Sequence, residues 1–439
     1  MSGQAPRLIW LNFLGEEAWR NWSLPWATPW RRQSVAAWDE VGWLLAEPND
    51  VYLSRVQPTQ AWSEERQKQW PLGASQKVRR VQFENFTKAY VHSQSEFVFV
   101  QVSPDEVKLV SELGMNSQLM DRLRIWNDKR HWPSWVRAMG FQTPDTWKLK
   151  EVEQPAYQCG RLKLAWSSGG AGQVVWRTAD EYAELRRAYL GATEGDQQGI
   201  SSIIPSDEWI AQREIESPTQ HWTVSFHLFD AFKPVAAQVT YDREFHSLQH
   251  RLMSLDLAPM ELRNFAKIWR SSLMHDLGDA QGKWRAAAGF DAIEDAAGNF
   301  WIVDLNARLD RVGLVAWIAE RHGLCEQDAD GRPQLTLPML SRWRGQVKAN
   351  SSEELARDFL REFGEWNLHL QPIGVSGASE DRSGRSRCRI LHFGVVDSVA
   401  NSQQDSQVRE FAVEIQIMHT PLQDALGWMS QYFERRRPS

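Results

Sequence analysis

Apolar and polar positions fall into blocks whose period changes along the chain. Leu8–Phe13 is almost continuously apolar and predicts a buried strand. A short amphipathic helix is predicted over Trp38–Leu45, a second strand over Val51–Ser54 and a third over Glu96–Gln101. In the third, Phe97, Val98, Phe99 and Val100 form an unbroken apolar run. Strands separated by helical stretches predict an open α/β sheet over the first hundred-odd residues. Pro104 to Leu123 carries helical periodicity. A further helix is predicted from Trp126 to Met139, ended by Gly140, with Phe141–Pro144 as its exit.

The pattern then shifts toward a period of two. Tyr157–Trp166 and Gln173–Trp176 read as strands flanking Ser167, Ser168, Gly169, Gly170, Ala171 and Gly172, which predicts a hairpin with a glycine-rich tip. A helix follows over Asp180–Leu190. Trp209–Ile215 and His221–Phe229 are predicted to pair around Ser217-Pro218-Thr219, and Met260–Leu277 to be helical. Two strands flank the turn Ala296-Ala297-Gly298-Asn299. Ser351–Phe363 opens with a Ser-x-x-Glu helix start. Gly374–Arg387 reads as a loop, Arg389–Val396 and Val408–Met418 as strands, and Pro421–Arg435 as a terminal helix. The run Arg435-Arg436-Arg437 is read as a solvated tail.

Composition narrows the function classes. With 50 basic and 56 acidic residues the formal net charge is −6, which gives no support for nucleic-acid binding. No stretch approaches the roughly 20 apolar residues that span a bilayer, and the start of the chain lacks a secretory core, so a cytoplasmic location is expected. Three widely spaced cysteines (Cys159, Cys325, Cys388) make neither a disulfide framework nor a zinc module. The 24 tryptophans could form a stacking surface, but they show no repeat period and are read as core-filling.

The most informative segment runs from Gly289 to Arg308. Alternation along a strand places Asp304, Asn306 and Arg308 on one face. A turn centred between Ala297 and Gly298 sets Asp291 directly opposite Asp304. Two facing carboxylates repel, and a divalent cation relieves that. Oxygen donors, few in number, favour Mg²⁺. The competing reading is a solvent-facing hairpin with its charges in water. Three weaker segments accompany it. Lys163 precedes the small-residue tip Ser167–Gly172, where backbone amides can approach a phosphate, although such a tip is often only a turn. Asn127-Asp128-Lys129-Arg130 opens the predicted helix, with Asp128 as its cap. Gln212-Arg213-Glu214-Ile215 ends a strand with polar groups that could meet a purine, or is an ordinary edge strand.

In this order the four segments resemble the ATP-grasp superfamily of carboxylate–amine ligases, over roughly Trp126 to Asp310. The resemblance implies an α/β chain with an ATP-grasp fold. Residues 1–120 would be the preceding α/β domain, 121–345 the two lobes around a nucleotide cleft, and 346–439 a small C-terminal α+β element. It implies Lys129 and Lys163 as phosphate ligands and Ser167, Ser168, Gly169, Gly170 and Gly172 as the flexible loop. Gln212, Arg213, Glu214 and Ile215 would form the adenine hinge, read through the main chain of Glu214 or Ile215. Asp291, Asp304 and Asn306 match the Mg²⁺ ligands, with Arg308 two residues beyond, and Arg285 resembles the arginine that steadies the acyl-phosphate. Two positions depart from the pattern: Asp304 stands where glutamate is usual, and Gln212 where an acid is common.

The implied reaction is ATP-dependent. A carboxylate is phosphorylated and an amine then displaces phosphate to form an amide. The substrates would be amino acids or peptides, the setting secondary metabolism, and the layout is similar to that of pheganomycin-type peptide ligases. A homodimer is expected. The alternatives are an ATP-grasp phosphotransferase or carboxylase, and a non-catalytic ATP-binding or tryptophan-rich interaction protein. His221, His246, His250 and His275 lie where they could line the acceptor side, and each is read as structural.

Overall fold

The computed structural model describes residues 7–11, 37–47, 49–55, 57–70, 79–82, 96–99, 118–165, 173–190, 208–228, 233–241, 247–277, 284–285, 287–327, 333–335, 337–369, 388–397, 409–420 and 423–436. The chain is a mixed α/β protein built on three principal sheets. The first is parallel, in the order β12-β4-β1-β2-β3. It joins β1 (Arg7–Trp10), β2 (Val51–Ser54), β3 (Arg79–Gln82) and β4 (Glu96–Phe99) to the late strand β12 (Trp284–Arg285). Leu8, Ile9 and Trp10 are all buried, as a parallel strand covered on both faces requires. The helical turns over 37–45 and the short β1, β2 and β4 follow the apolar runs.

The second sheet is antiparallel, in the order β5-β8-β6-β7. It comprises β5 (Thr146–Lys148), β6 (Gly160–Leu164), β7 (Val174–Trp176) and β8 (Trp209–Arg213), with the helix Ala179–Leu190 against it. Leu162, Leu164, Trp176, Tyr182 and Trp209 form its own core. The β6–β7 hairpin is paired as the alternation predicts, Gly160 with Trp176 and Leu162 with Val174. Its tip lies outside the described residues.

The third sheet carries eight strands, β14-β13-β9-β10-β11-β17-β19-β18, all antiparallel. They are β9 (Pro218–His227), β10 (Val235–Tyr241), β11 (Ser247–Ser254), β13 (Ala287–Asp295), β14 (Phe300–Asn306), β17 (Met339–Ala349), β18 (Arg389–Asp397) and β19 (Arg409–His419), while β15 (Cys325–Gln327) and β16 (Pro333–Leu335) pair only with each other. One face buries Trp222, Val224, Phe226 and Phe290 against Phe265 and Trp269 of the helix Met260–Leu277. The helix Arg311–Arg321 lies on the other face, against β9, β10 and β11.

Four expectations are corrected. Trp209–Ile215 and His221–Phe229 do not pair, because β8 and β9 belong to different sheets. The chain crosses between them at Glu214–Ser217, where Ser217 takes a left-handed φ of 50°. The helix expected from Trp126 to Met139 is two helices, Gln118–Asn127 and Trp132–Ala138, split by residues 128–131. Pro133 suits the first turn of the second helix, since proline has no amide to donate there. Asp128 therefore caps nothing and instead accepts from the backbone and side chain of Arg130. The C-terminal residues contain helices and strands, but not as a separate unit. β17 runs through position 346 and pairs with β19 along its whole length, so β18 and β19 extend the large sheet. Finally, of the Arg435-Arg436-Arg437 run, Arg437 lies outside the described residues, Arg435 is exposed as expected, and Arg436 is drawn out of solvent. Arg435 and Arg436 both pair with Glu362 on the helix Ser352–His369, and Arg436 also pairs with Asp358 and stacks on Tyr432.

Candidate active site

The hairpin β13–β14 decides where its acids go. Next to the turn, Glu294 pairs with Phe300, Ile293 with Trp301 and Ala292 with Ile302, so the turn is centred on Ala297. A bulge then leaves Val303 unpaired, and beyond it Asp291 pairs with Asp304, Phe290 with Leu305 and Gly289 with Asn306. The expected pairing of the two acids is present, by a turn and a bulge rather than by a regular hairpin. Bulges re-aim side chains in this way: Ile302 and Leu305 both reach the core, while Asp304 and Asn306 share the opposite face with Asp291.

Partners from other strands fix this face. Thr223 Oγ1 on β9 donates to Asp291 Oδ1 at 2.6 Å, and Asn306 Nδ2 donates to Asp291 Oδ2 at 3.2 Å. The Asp291 carboxyl is pushed above its ordinary range by burial first and by the charge of Asp304 second. Asp304 Oδ2 sits 3.2 Å from Lys129 Nζ, while its Oδ1 is buried and accepts no hydrogen bond among the described residues. Behind Asn306, the Asp310 carboxylate lies over Gly289, where a Cβ would come within 1.8 Å of Asp310 Oδ2.

Two other segments bring cations. Between the helices Gln118–Asn127 and Trp132–Ala138, the Lys129 amide donates to Ala165 O at the end of β6, tying this turn to the small sheet. Asn127 holds the other side: its Oδ1 accepts from the Ala307 amide at 2.9 Å and from Arg308 Nη1 at 3.3 Å. On β6, Lys163 is buried and donates to Gln212 Oε1 at 2.5 Å, and Gln212 Nε2 donates to Thr146 Oγ1 at 3.1 Å. Burial pulls the Lys163 ammonium down to about 8, with the Asp304 charge opposing that shift. Lys129 and Lys163 lie close enough to depress the Lys163 value, so two cations and two acids share one region.

A divalent cation fits these residues. The donors Asp291, Asp304 and Asn306 are oxygen-bearing groups suited to Mg²⁺. A buried carboxylate oxygen without a hydrogen bond among the described residues, and a second acid held up by burial and then by its neighbour's charge, mark a place that a cation would relieve.

The remaining predicted residues are placed as follows. Arg308 is on the Asn127 side of the face. Glu214 is occupied twice, its carboxylate by Arg161 at 2.5 and 2.6 Å and its amide by Cys159 O at 3.3 Å. Ile215 follows it, buried. Arg213 stacks on Tyr157 and pairs with Glu216. The backbone of Arg285 pairs with Val98 in the parallel sheet. Ser167, Ser168, Gly169, Gly170, Gly172 and His246 lie outside the described residues. His221 packs its ring edge on Tyr241, His250 is buried with its imidazole pulled down to about 3, and His275 lies by Trp126 and Asp276 at the far end of the helix Met260–Leu277.

Sequence reading missed Thr223, Tyr241 and the role of Asn127. A signal for Thr223 existed: His221, Thr223, Ser225 and His227 alternate with Trp222, Val224, Phe226 and Leu228, which marks a strand with one polar face turned to a site. Asn127 carried no such signal, since its value comes from Ala307, which is 180 residues away.

No protein-family model and no curated protein matches the sequence. Among solved structures, the chain is similar to N5-carboxyaminoimidazole synthetase from Staphylococcus aureus, with TM-score 0.46 and 10% identity over 92% of this chain and 95% of that one. It is also similar to L-amino acid ligase from Bacillus licheniformis, with TM-score 0.46 and 10% identity over 99% and 98%. D-alanyl-alanine synthetase A from Vibrio cholerae is similar at TM-score 0.42 and 12% identity, over 74% and 95%.

Proposed function

We propose that the protein is an ATP-grasp ligase that joins the carboxylate of an amino acid or short peptide to an amine. The observation that carries this reading is the opposed pair Asp291 and Asp304, with Asn306 beside them and the Lys129 ammonium 3.2 Å from Asp304. Such a face suits a metal-bound polyphosphate. The acids would hold Mg²⁺ with Asn306, and the ion would supply charge neutralisation at the phosphates.

The chain's own residues do the rest. Lys163, buried and lowered to about 8, carries its charge at neutral pH and holds it more firmly once a phosphate arrives beside it. Gln212 aims that ammonium through its 2.5 Å hydrogen bond. Lys129 is paired with Asp304 and can exchange that partner for a phosphate oxygen without leaving the site. In the first step a substrate carboxylate oxygen attacks the γ-phosphorus of ATP, the bond to the bridging oxygen breaks, and ADP leaves. In the second, a neutral amine attacks the acyl carbon, phosphate leaves with the C–O bonding pair, and the nitrogen releases one proton to solvent, giving the amide. Both steps gather negative charge, so positioned cations dominate the catalysis.

The test is ADP and phosphate release across pairs of amino acids, with product masses read in parallel. The ligase predicts release only with acid and amine together, and a product lighter than the summed substrates by one water. Phosphate retained on the product would indicate a phosphotransferase, and a requirement for bicarbonate a carboxylase.

A further inference from the structure

The sheet face that carries the acids continues past them. Directly paired residues share a face. The pairings Asp304–Asp291, Asp291–Thr223, Thr223–Ala237, Val239–His250, His250–Leu340 and Arg344–Glu414 therefore carry one face from β14 to β19. On it, two strands beyond Tyr241, stand Arg342 and Arg344 of β17, with Glu414 of β19 one strand further. Arg311, at the start of the helix Arg311–Arg321, joins them from above. Glu414 accepts from Arg342 Nε at 2.9 Å, from Arg344 Nη2 at 2.8 Å and from Trp38 Nε1 at 3.3 Å. Arg311 donates to Ser247 Oγ at 3.1 Å and lies over the Trp38 ring, which in turn stacks on His392.

Among the described residues, Arg342 and Arg344 pair with Glu414, while Arg311 makes no ion pair with it and adds a third positive charge within reach of Glu414 and Asp310. Desolvation lowers Arg311 and Arg342 from their ordinary range even with Glu414 present, while Glu414 is held well below its own. Two fully buried polar atoms beside Glu414, Gln416 Oε1 and His392 Nε2, have no hydrogen-bond partner among the described residues. The charges of Asp291, Asp304 and Arg311 all act on the buried Tyr241 phenol, so the cluster and the acids lie in one electrostatic neighbourhood.

We propose that Arg311 and Arg342 form a subsite for a carboxylate that the reaction leaves untouched. The planar fork of a guanidinium matches a carboxylate. A neutral His392 can present Nε2–H to the same group. The substrate class is thereby narrowed to molecules with a free carboxylate besides the group that reacts, such as an α-amino acid serving as the amine. The identity of the substrate rests on the ligase reading; the binding of a carboxylate does not.

The full-length protein with Mg²⁺ and a non-hydrolysable ATP analogue is melted with succinate, or with the uncharged succinamide, as probe. Succinate alone should raise Tm. Arg311→Gln should remove that rise while leaving the unliganded Tm unchanged or higher, because Glu414 keeps both of its arginines, and Arg311→Lys should restore part of the rise. Arg342→Gln gives a second reading at the same subsite. With any amino-acid pair that turns over, Arg311→Gln, or amidation of the spectator carboxylate, should raise KM roughly ten- to a hundredfold with kcat little changed. The subsite is overturned by succinate stabilising Arg311→Gln as much as wild type, by wild type ignoring succinate, by a lower unliganded Tm in Arg311→Gln, or by unchanged KM. A succinate response with no ADP release from any pair would instead sink the ligase reading alone.

Discussion

Asp291 and Asp304 face each other across two strands because Val303 bulges out of the pairing between Ile302 and Asp304. The acids repel, and burial adds to the cost at Asp291. Asp304→Asn should therefore abolish ATP turnover yet leave Tm without metal within a few degrees of wild type, or above it. The lost Lys129 pair is offset by the relieved repulsion. A thermal melt beside an ADP-release assay reads both, and a large drop in Tm would make Asp304 a structural residue.

Lys163 sets a pH dependence. Its native value of about 8 lies below its ordinary 10.5, so the unfolded chain holds more proton between those values. The cost of burying its charge is present in full below pH about 8 and is relieved as pH rises from there to 10.5. Nucleotide phosphates should draw a proton onto it. Binding of ADP should thus weaken as pH rises from about 7 to about 9, with proton uptake seen by calorimetry in buffers of different ionisation enthalpy. Lys163→Gln should bind weakly at both and take up no proton.

Gly289 is required by contact rather than by backbone angle. A Cβ there would lie 1.8 Å from Asp310 Oδ2 and 2.7 Å from Val224 O. Gly289→Ala should cost about 3 kcal/mol or more in chemical denaturation, through overpacking beneath the acids. A smaller loss would mean that Asp310 can turn aside.

Asn127 ties the turn at Lys129 to β14. Asn127→Ala leaves the buried Ala307 amide without its 2.9 Å partner and removes the 3.3 Å bond from Arg308. The expected loss is about 1–3 kcal/mol of stability, with a fall in kcat that Asn127→Asp partly restores. Full activity in Asn127→Ala would separate that residue from the site.

The sequence makes the strand-level architecture legible wherever one residue's neighbours set its fate. The apolar runs at Leu8 and Phe97 and the hairpin at Gly160 come from local period, whereas Asp291 meets Asp304 only because the Val303 bulge offsets a turn centred on Ala297. What it hides depends on distant partners. β12 joins β4 through a pairing of Arg285 with Val98 that no local pattern announces. β8 and β9 look like a hairpin because both are strands near a turn, and only the left-handed Ser217 and their separate sheets part them. Asp128 looks like a cap, but Arg130 takes its carboxylate first. Gln212 looks like a purine contact, whereas its amide is spent between Lys163 and Thr146.

The central claim is that both acids grip one ion under a nucleotide, and titration of Mg²⁺ into protein saturated with a non-hydrolysable ATP analogue tests it most directly. Asp291→Asn and Asp304→Asn should each weaken Mg²⁺ by a similar factor, and the double variant should be little worse than either alone, because the two ligands act as a unit. Unchanged Mg²⁺ affinity in either single variant, or losses that simply add in the double, would contradict the account.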